Sequence, residues 1–126
     1  MKTKSIIKTS LLALAVGAAV TLPKLSYSAD DNATGMQSLK GEIVDLMCYL
    51  DHGAKGDKHK GCAEKCIKGG GPVGLLSGEQ LYLVVGDHEA INEQLAPKAA
   101  QTVTLKGKVV ERNGMKMIEK ATLVTE

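Results

Sequence analysis

The sequence predicts a mainly β domain, a small five-stranded barrel with a cysteine-bearing helical insert after strand 1 and a short helix before strand 4. Two observations lead to this fold class. Short stretches of alternating apolar and polar residues recur between turn signals, as in strands with one buried face. The chain has 126 residues with no Phe and no Trp, so we expect a core of Val, Leu, Ile and Met.

The first 28 residues are predicted to be a secretory signal peptide. Lysines at positions 2, 4 and 8 precede a charge-free apolar run over residues 11–22, which Pro23 ends. Small residues then precede the expected cleavage site, after Ser28 or Ala29. Because the apolar run is too short to span a bilayer well, we expect no stable membrane anchor after cleavage and a periplasmic or secreted location.

Loss of this signal changes the charge of the chain. All 14 acidic residues lie beyond position 28, with 12 of the 16 Lys and Arg residues. The predicted mature chain therefore has a net charge of −2, since 12 minus 14 is −2. The positive balance of the whole chain belongs to the signal, and we expect no nucleic-acid partner.

The domain is expected to begin at residue 39, after a polar leader over residues 29–38 that is predicted to be flexible, and to end at residue 126. Residues 39–48 (LKGEIVDLMC) alternate in polarity and predict the first strand. This strand would place Cys48 at its end, beside Val44 and Leu46 on the core face. Residues 49–57 contain two glycines and are predicted to form a turn-rich connection.

A short helix is predicted over residues 58–68. Asp57 can cap its start, and the run Gly69-Gly70-Gly71-Pro72 would end it. Residues 73–76 and 80–85 then form two predicted strands around the turn Ser77-Gly78-Glu79.

The rest of the chain predicts one more helix and a hairpin. Asp87 can cap a helix over residues 88–95, and residues 102–111 and 116–124 alternate as strands. Asn113-Gly114 between these two strands is a strong hairpin signal. Without the cysteine-bearing insert, this order of elements is that of the five-stranded OB barrel.

A set of short motifs runs through residues 39–124. They are Gly41-Glu42-Ile43-Val44-Asp45, Cys48-Tyr49-Leu50, Gly53-Ala54-Lys55-Gly56, His59, Cys62-Ala63, Cys66 and Gly71-Pro72-Val73-Gly74. Together they resemble a group of small exported bacterial domains of unknown function, which carry a similar cysteine insert in an OB-like barrel. The C-terminal hairpin (VTLKGKVVERNGMKMIE) is also similar to periplasmic bacterial OB-fold proteins. The resemblance implies the fold and the exported location, and it implies no activity.

The cysteines of the insert indicate a metal site. His59, Cys62 and Cys66 are spaced by three and four residues, so a helix would place them on one face, and Cys48 could meet them across the loop. Three thiolates and one imidazole form a Cys3His zinc site, and soft thiolates also bind Cu(I), in a variant through the cysteines alone. His52 is a spare candidate ligand. We predict a non-enzymatic binding module that binds Zn or Cu(I) through the set Cys48, His59, Cys62 and Cys66.

Two other uses of the cysteines stay open. In an oxidising compartment, a disulfide from Cys48 to Cys62 or Cys66 would fasten the insert to the first strand. The domain would then use its barrel face, without metal, to bind a periplasmic protein partner or a small ligand. A thiol-redox protein is the third option, because the lysines of the insert favour thiolate. No spacing in the sequence predicts catalytic residues.

Overall fold

The computed structural model describes residues 35–125, and the predicted signal peptide and most of the predicted leader lie outside the described residues. Within this range, no helix has the length and apolar character that crossing a membrane requires. The elements are β1 (Met36–Asp45), α1 (Leu46–His52), α2 (Lys60–Lys68), β2 (Val73–Ser77), β3 (Gln80–Val84), α3 (Asn92–Leu95), β4 (Thr102–Arg112) and β5 (Met115–Leu123), with 3-10 turns at Asp57–His59 and Ala96–Lys98.

The five strands form a closed barrel in the order β1-β2-β3-β5-β4. All neighbouring pairs are antiparallel except β3 with β5, which is parallel. The long strand β1 closes the barrel because its first part pairs with β4, from Met36 opposite Lys108, and its end pairs with β2, where Asp45 lies opposite Val73. The predicted small OB-like barrel, with its insert after β1 and its short helix before β4, is confirmed.

The core of the barrel is aliphatic, as the composition predicts. Ile43, Leu75, Leu105 and Ile118, from four different strands, each have 0% exposure. Ile67 of α2 is also fully buried and belongs to the same hydrophobic cluster. The insert therefore packs against the barrel core instead of projecting from it.

The hairpin between β4 and β5 has the geometry that its sequence predicts. Asn113 and Gly114 have φ angles of 51° and 81°, the two positive values that a type I′ turn requires. Arg112 and Met115 pair on either side of the turn.

The first strand differs from the prediction at both ends. It begins at Met36, so the last residues of the predicted leader belong to β1, and it ends at Asp45 instead of Cys48. The physical reason is a helix cap: Asp45 Oδ1 accepts a hydrogen bond from the backbone N–H of Cys48 at 2.8 Å. An N-cap residue marks the start of a helix. Asp45 therefore ends the strand, and Cys48 lies in the first turn of α1.

The second predicted helix, over residues 88–95, is shorter than expected. Only Asn92–Leu95 is α-helical, and His88 has a φ of 59°, outside the helical region. Backbone hydrogen bonds instead fold this segment into a turn against β5. The N–H of Gly86 donates to Glu89 O at 2.8 Å, and the N–H of Lys120 donates to Gly86 O at 3.0 Å.

Candidate metal centre

Helix α2 presents two neighbouring stripes of side chains. Ala63 and Ile67 are buried and pack into the core. Cys62 and Cys66 are each one position earlier and lie four residues apart, so they share the adjacent face. Because the first stripe fixes α2 on the barrel, the second stripe has a fixed direction at the edge of the core.

The C-terminal end of α2 is held by a side chain from another part of the chain. The Nδ2 of Asn92 donates to the carbonyl oxygens of Ile67 at 2.7 Å and Gly71 at 2.6 Å. The carbonyl of Ile67 lies in the last turn of α2, where a helix leaves acceptors without an intrahelical partner, and that of Gly71 lies just beyond the helix. Sequence reasoning missed Asn92, because no local pattern links it to an insert more than 20 residues away.

The loop after α2 brings the chain back to the start of α1. The N–H of Gly71 donates to Cys66 O at 2.9 Å, and the N–H of Leu46 donates to Pro72 O at 2.9 Å. The two helices of the insert are thus joined at the ends where Cys48 and Cys66 lie.

The three cysteines converge at this junction. The sulfur atoms of Cys48, Cys62 and Cys66 all lie within 4.8 Å of one another, and all three cysteines are free. Cys48 and Cys66 are half-buried, whereas Cys62 is exposed. The structure therefore brings together the three predicted cysteine ligands, with one of them open to solvent.

Two of the thiols hold their protons more strongly than an ordinary cysteine. The pKa of Cys48 is raised to about 12, first by hydrogen bonding with the Asp45 side chain, then by burial and by the negative charge of Asp45. Burial is the first cause that raises the pKa of Cys66, followed by its contact with Cys62. An activated redox thiol requires a lowered pKa, so these environments are opposite to the one that redox chemistry uses.

Asp45 is a residue of the site that sequence reasoning missed. It is 2% exposed, and it is the one buried charged side chain among residues 35–125. In the predicted strand over residues 39–48, Asp45 would lie on the face opposite Cys48. The strand prediction therefore gave no reason to expect Asp45 beside the thiols. The available signal was an Asp three residues before a cysteine, the spacing of an N-cap from the N3 residue that it caps.

The predicted ligand His59 does not join this group. Its ring lies beside that of His52, with the ring centroids 6.1 Å apart. Neither histidine belongs to the group of ligand atoms within 4.8 Å of one another, which contains only the three sulfurs. His59 is half-buried in the 3-10 turn before α2. Its role as a ligand stays a prediction.

The loop that carries these histidines is fastened to the barrel by a second acid of β1. The carboxylate of Glu42 accepts a hydrogen bond from the backbone N–H of Gly56. Glu42 and Gly56 are 14 residues apart in sequence. Their hydrogen bond helps to fix the insert on β1 independently of the cysteines.

Comparison of the chain with models of protein families, with curated proteins and with solved structures finds no match. The resemblance to small exported bacterial domains therefore stays a prediction.

Proposed function

We propose that this chain is an exported metal-binding module that holds one soft transition-metal ion, Zn²⁺ or Cu⁺, through the thiolates of Cys48, Cys62 and Cys66. The single observation that supports this function most directly is the approach of three sulfurs, from two separate helices, to within 4.8 Å of one another. Thiolates are the ligands that both ions favour.

The spacing of the sulfurs suits such an ion after a small contraction. With Zn–S bonds of about 2.3 Å, sulfurs around one ion lie about 3.8–4.0 Å apart. Even if all three sulfurs stood at the 4.8 Å limit, each would move inward by only about 0.5 Å to reach that bond length. Changes of side-chain torsion can supply a shift of this size.

The environment of the thiols supports metal binding over redox chemistry. Raised pKa values keep Cys48 and Cys66 protonated at neutral pH, so neither is an activated nucleophile. A metal ion displaces such protons, because thiol ligands bind as thiolates. The two half-buried thiols are thus weak nucleophiles, but they can serve as ligands for a metal ion that displaces their protons.

The test begins with the chain from residue 29, purified anaerobically without added reductant. We expect three reactive thiols, and one equivalent of Zn²⁺ or Cu⁺ that protects all three from alkylation. Cys62→Ser should weaken binding strongly because it removes one of three sulfurs. Lys65→Ser, an exposed change on the same helix, is the matched control and should bind as the parent does.

Two results would count against the proposal. One free thiol and no metal uptake after reduction and reloading would indicate the disulfide-linked interaction domain instead. Equal metal affinity in Cys62→Ser and the parent would place the metal elsewhere. Export has its own measurement: the N-terminal residue of the processed protein should be Ala29 or Asp30.

A further inference from the structure

The carboxylate of Asp45 has one oxygen whose position the helix cap does not explain. Its Oδ1 accepts the N–H of Cys48 at 2.8 Å. Its Oδ2 is buried and meets hydrogen-bond geometry with no group among residues 35–125. A buried carboxylate oxygen without a partner is costly, and in native structures it often marks an ion or a catalytic group. The cap therefore accounts for Oδ1 and leaves the position of Oδ2 to be explained.

The side chain that carries this oxygen lies next to the cysteine group. Asp45 Oδ1 contacts the backbone N–H of Cys48, and Asp45 is close enough to the sulfurs to raise the pKa of both Cys48 and Cys66. On the other side, Gly71 leaves room for the carboxylate: a Cβ at Gly71 would lie 2.8 Å from Asp45 Oδ2. The unpartnered oxygen thus lies beside Gly71, next to the backbone carbonyl of Cys66, while the other oxygen of the same carboxylate contacts the backbone of Cys48.

We propose that Asp45 Oδ2 is the fourth donor of the metal site and that it makes the site selective for a divalent ion such as Zn²⁺ over Cu⁺. This inference rests on the proposed metal-binding function. Zn²⁺ accepts carboxylate oxygen at about 2.0–2.2 Å beside thiolate sulfur. Cu⁺ is bound by soft thiolate and thioether ligands.

Charge gives a second reason for this selectivity. Three thiolates and one carboxylate carry four negative charges, so Zn²⁺ leaves two of them uncompensated and Cu⁺ leaves three. Uncompensated charge is poorly tolerated where side chains are withdrawn from water.

Asp45 does not belong to the group of three sulfurs that lie within 4.8 Å of one another. Loading with Zn²⁺ would therefore draw α2 and Asp45 closer together.

The experiment compares two variants that each remove one negative charge from β1. Asp45→Asn keeps the shape of the side chain and its ability to cap α1, but it removes the carboxylate from the site. Glu42→Gln is the matched control, because its remaining oxygen can still accept the N–H of Gly56. Affinity for Zn²⁺ and for Cu⁺ is measured for each by competition with a chromophoric chelator of each ion.

We expect Asp45→Asn to weaken Zn²⁺ binding by at least about 10- to 100-fold, the range seen when a supporting group of a metal site is removed. Binding of Cu⁺ should stay within about threefold of the parent or become tighter, because the uncompensated charge is smaller. Glu42→Gln should leave Zn²⁺ affinity within about threefold.

The other outcomes distinguish a failure of this inference from a failure of the proposed function on which it rests. Unchanged Zn²⁺ affinity in Asp45→Asn would overturn the inference and leave a three-sulfur site. Equal losses for Zn²⁺ and Cu⁺ would also overturn it, because Asp45 would then only position Cys48. A parent protein that binds neither ion would overturn the proposed function itself.

X-ray absorption of the Zn²⁺-loaded parent gives an answer that does not require the variant to fold. We expect three sulfurs at about 2.3 Å and one oxygen at about 2.0–2.2 Å. An imidazole scattering pattern that disappears in His59→Ala would overturn the inference in favour of a Cys3His site.

Discussion

Gly71 is the position at which a single added methyl group would disturb the site most directly. Its φ is not in the left-handed region, so alanine meets no backbone strain there. The added Cβ would lie 2.8 Å from both Asp45 Oδ2 and the carbonyl oxygen of Cys66. To reach the 3.4 Å of an ordinary contact, these groups must separate by about 0.6 Å.

The expected cost of Gly71→Ala follows from this contact. Overpacking of a closely packed position costs about 1–3 kcal/mol. For a domain of this size, about 2 kcal/mol corresponds to a fall in Tm of about 8–16 °C. Because Asp45 and Cys66 would both be displaced, we also expect Zn²⁺ affinity to fall by about 10- to 100-fold.

The assay is thermal unfolding of the reduced, metal-free protein, followed by circular dichroism. Gly69→Ala is the matched control in the same loop, since its Cβ would lie 3.4 Å from the nearest carbonyl oxygens. We expect the control to change stability by less than about 0.5 kcal/mol. If Gly71→Ala unfolds within about 2 °C of Gly69→Ala, the argument from the close contact is wrong.

Three further predictions concern the thiols and their helix. Zn²⁺ affinity should rise with pH, by at least about 100-fold per unit near neutrality, because the raised pKa values keep Cys48 and Cys66 protonated in the free protein and at least these two protons must leave; calorimetry in buffers of different ionisation enthalpy counts the protons released, and release of fewer than two contradicts the prediction. Cys62, the exposed thiol, should be alkylated first in the metal-free protein, which peptide mass spectrometry can follow, and initial labelling of Cys66 would oppose this order. Gly61→Ala should stabilise the domain by up to about 1 kcal/mol without changing Zn²⁺ affinity, because its Cβ meets nothing within 4 Å; denaturant unfolding measures this, and a loss of stability would refute it.

The barrel could be predicted because its signals are local. The strand alternation in β2 to β5 and the Asn113-Gly114 turn each depend on a few neighbouring residues. The order of these elements then leaves few topologies, and the closed barrel is one of them. The cysteine group was predictable in the same way, since Cys62 and Cys66 share a helix face through their spacing alone.

The missed features depend on competition between local patterns or on contacts distant in sequence. Residues 39–48 alternate as a strand, but the side chain of Asp45 caps a helix three residues before the alternation ends. A sequence pattern does not show which of the two will prevail. The link from Asn92 to the end of α2 depends on how the barrel folds, so it has no local signal at all.

The unequal exposure of the three cysteines has a consequence for the rate at which an ion is exchanged. Cys62 is open to solvent, whereas Cys48 and Cys66 are half-buried. In the proposed site, a competing thiol would therefore reach a bound ion most readily from the side of Cys62 and displace that sulfur first. Exchange should accelerate with the concentration of the incoming thiol, as in an associative substitution, instead of waiting for the domain to open. Such a site can hold its ion firmly at equilibrium and still hand it over quickly.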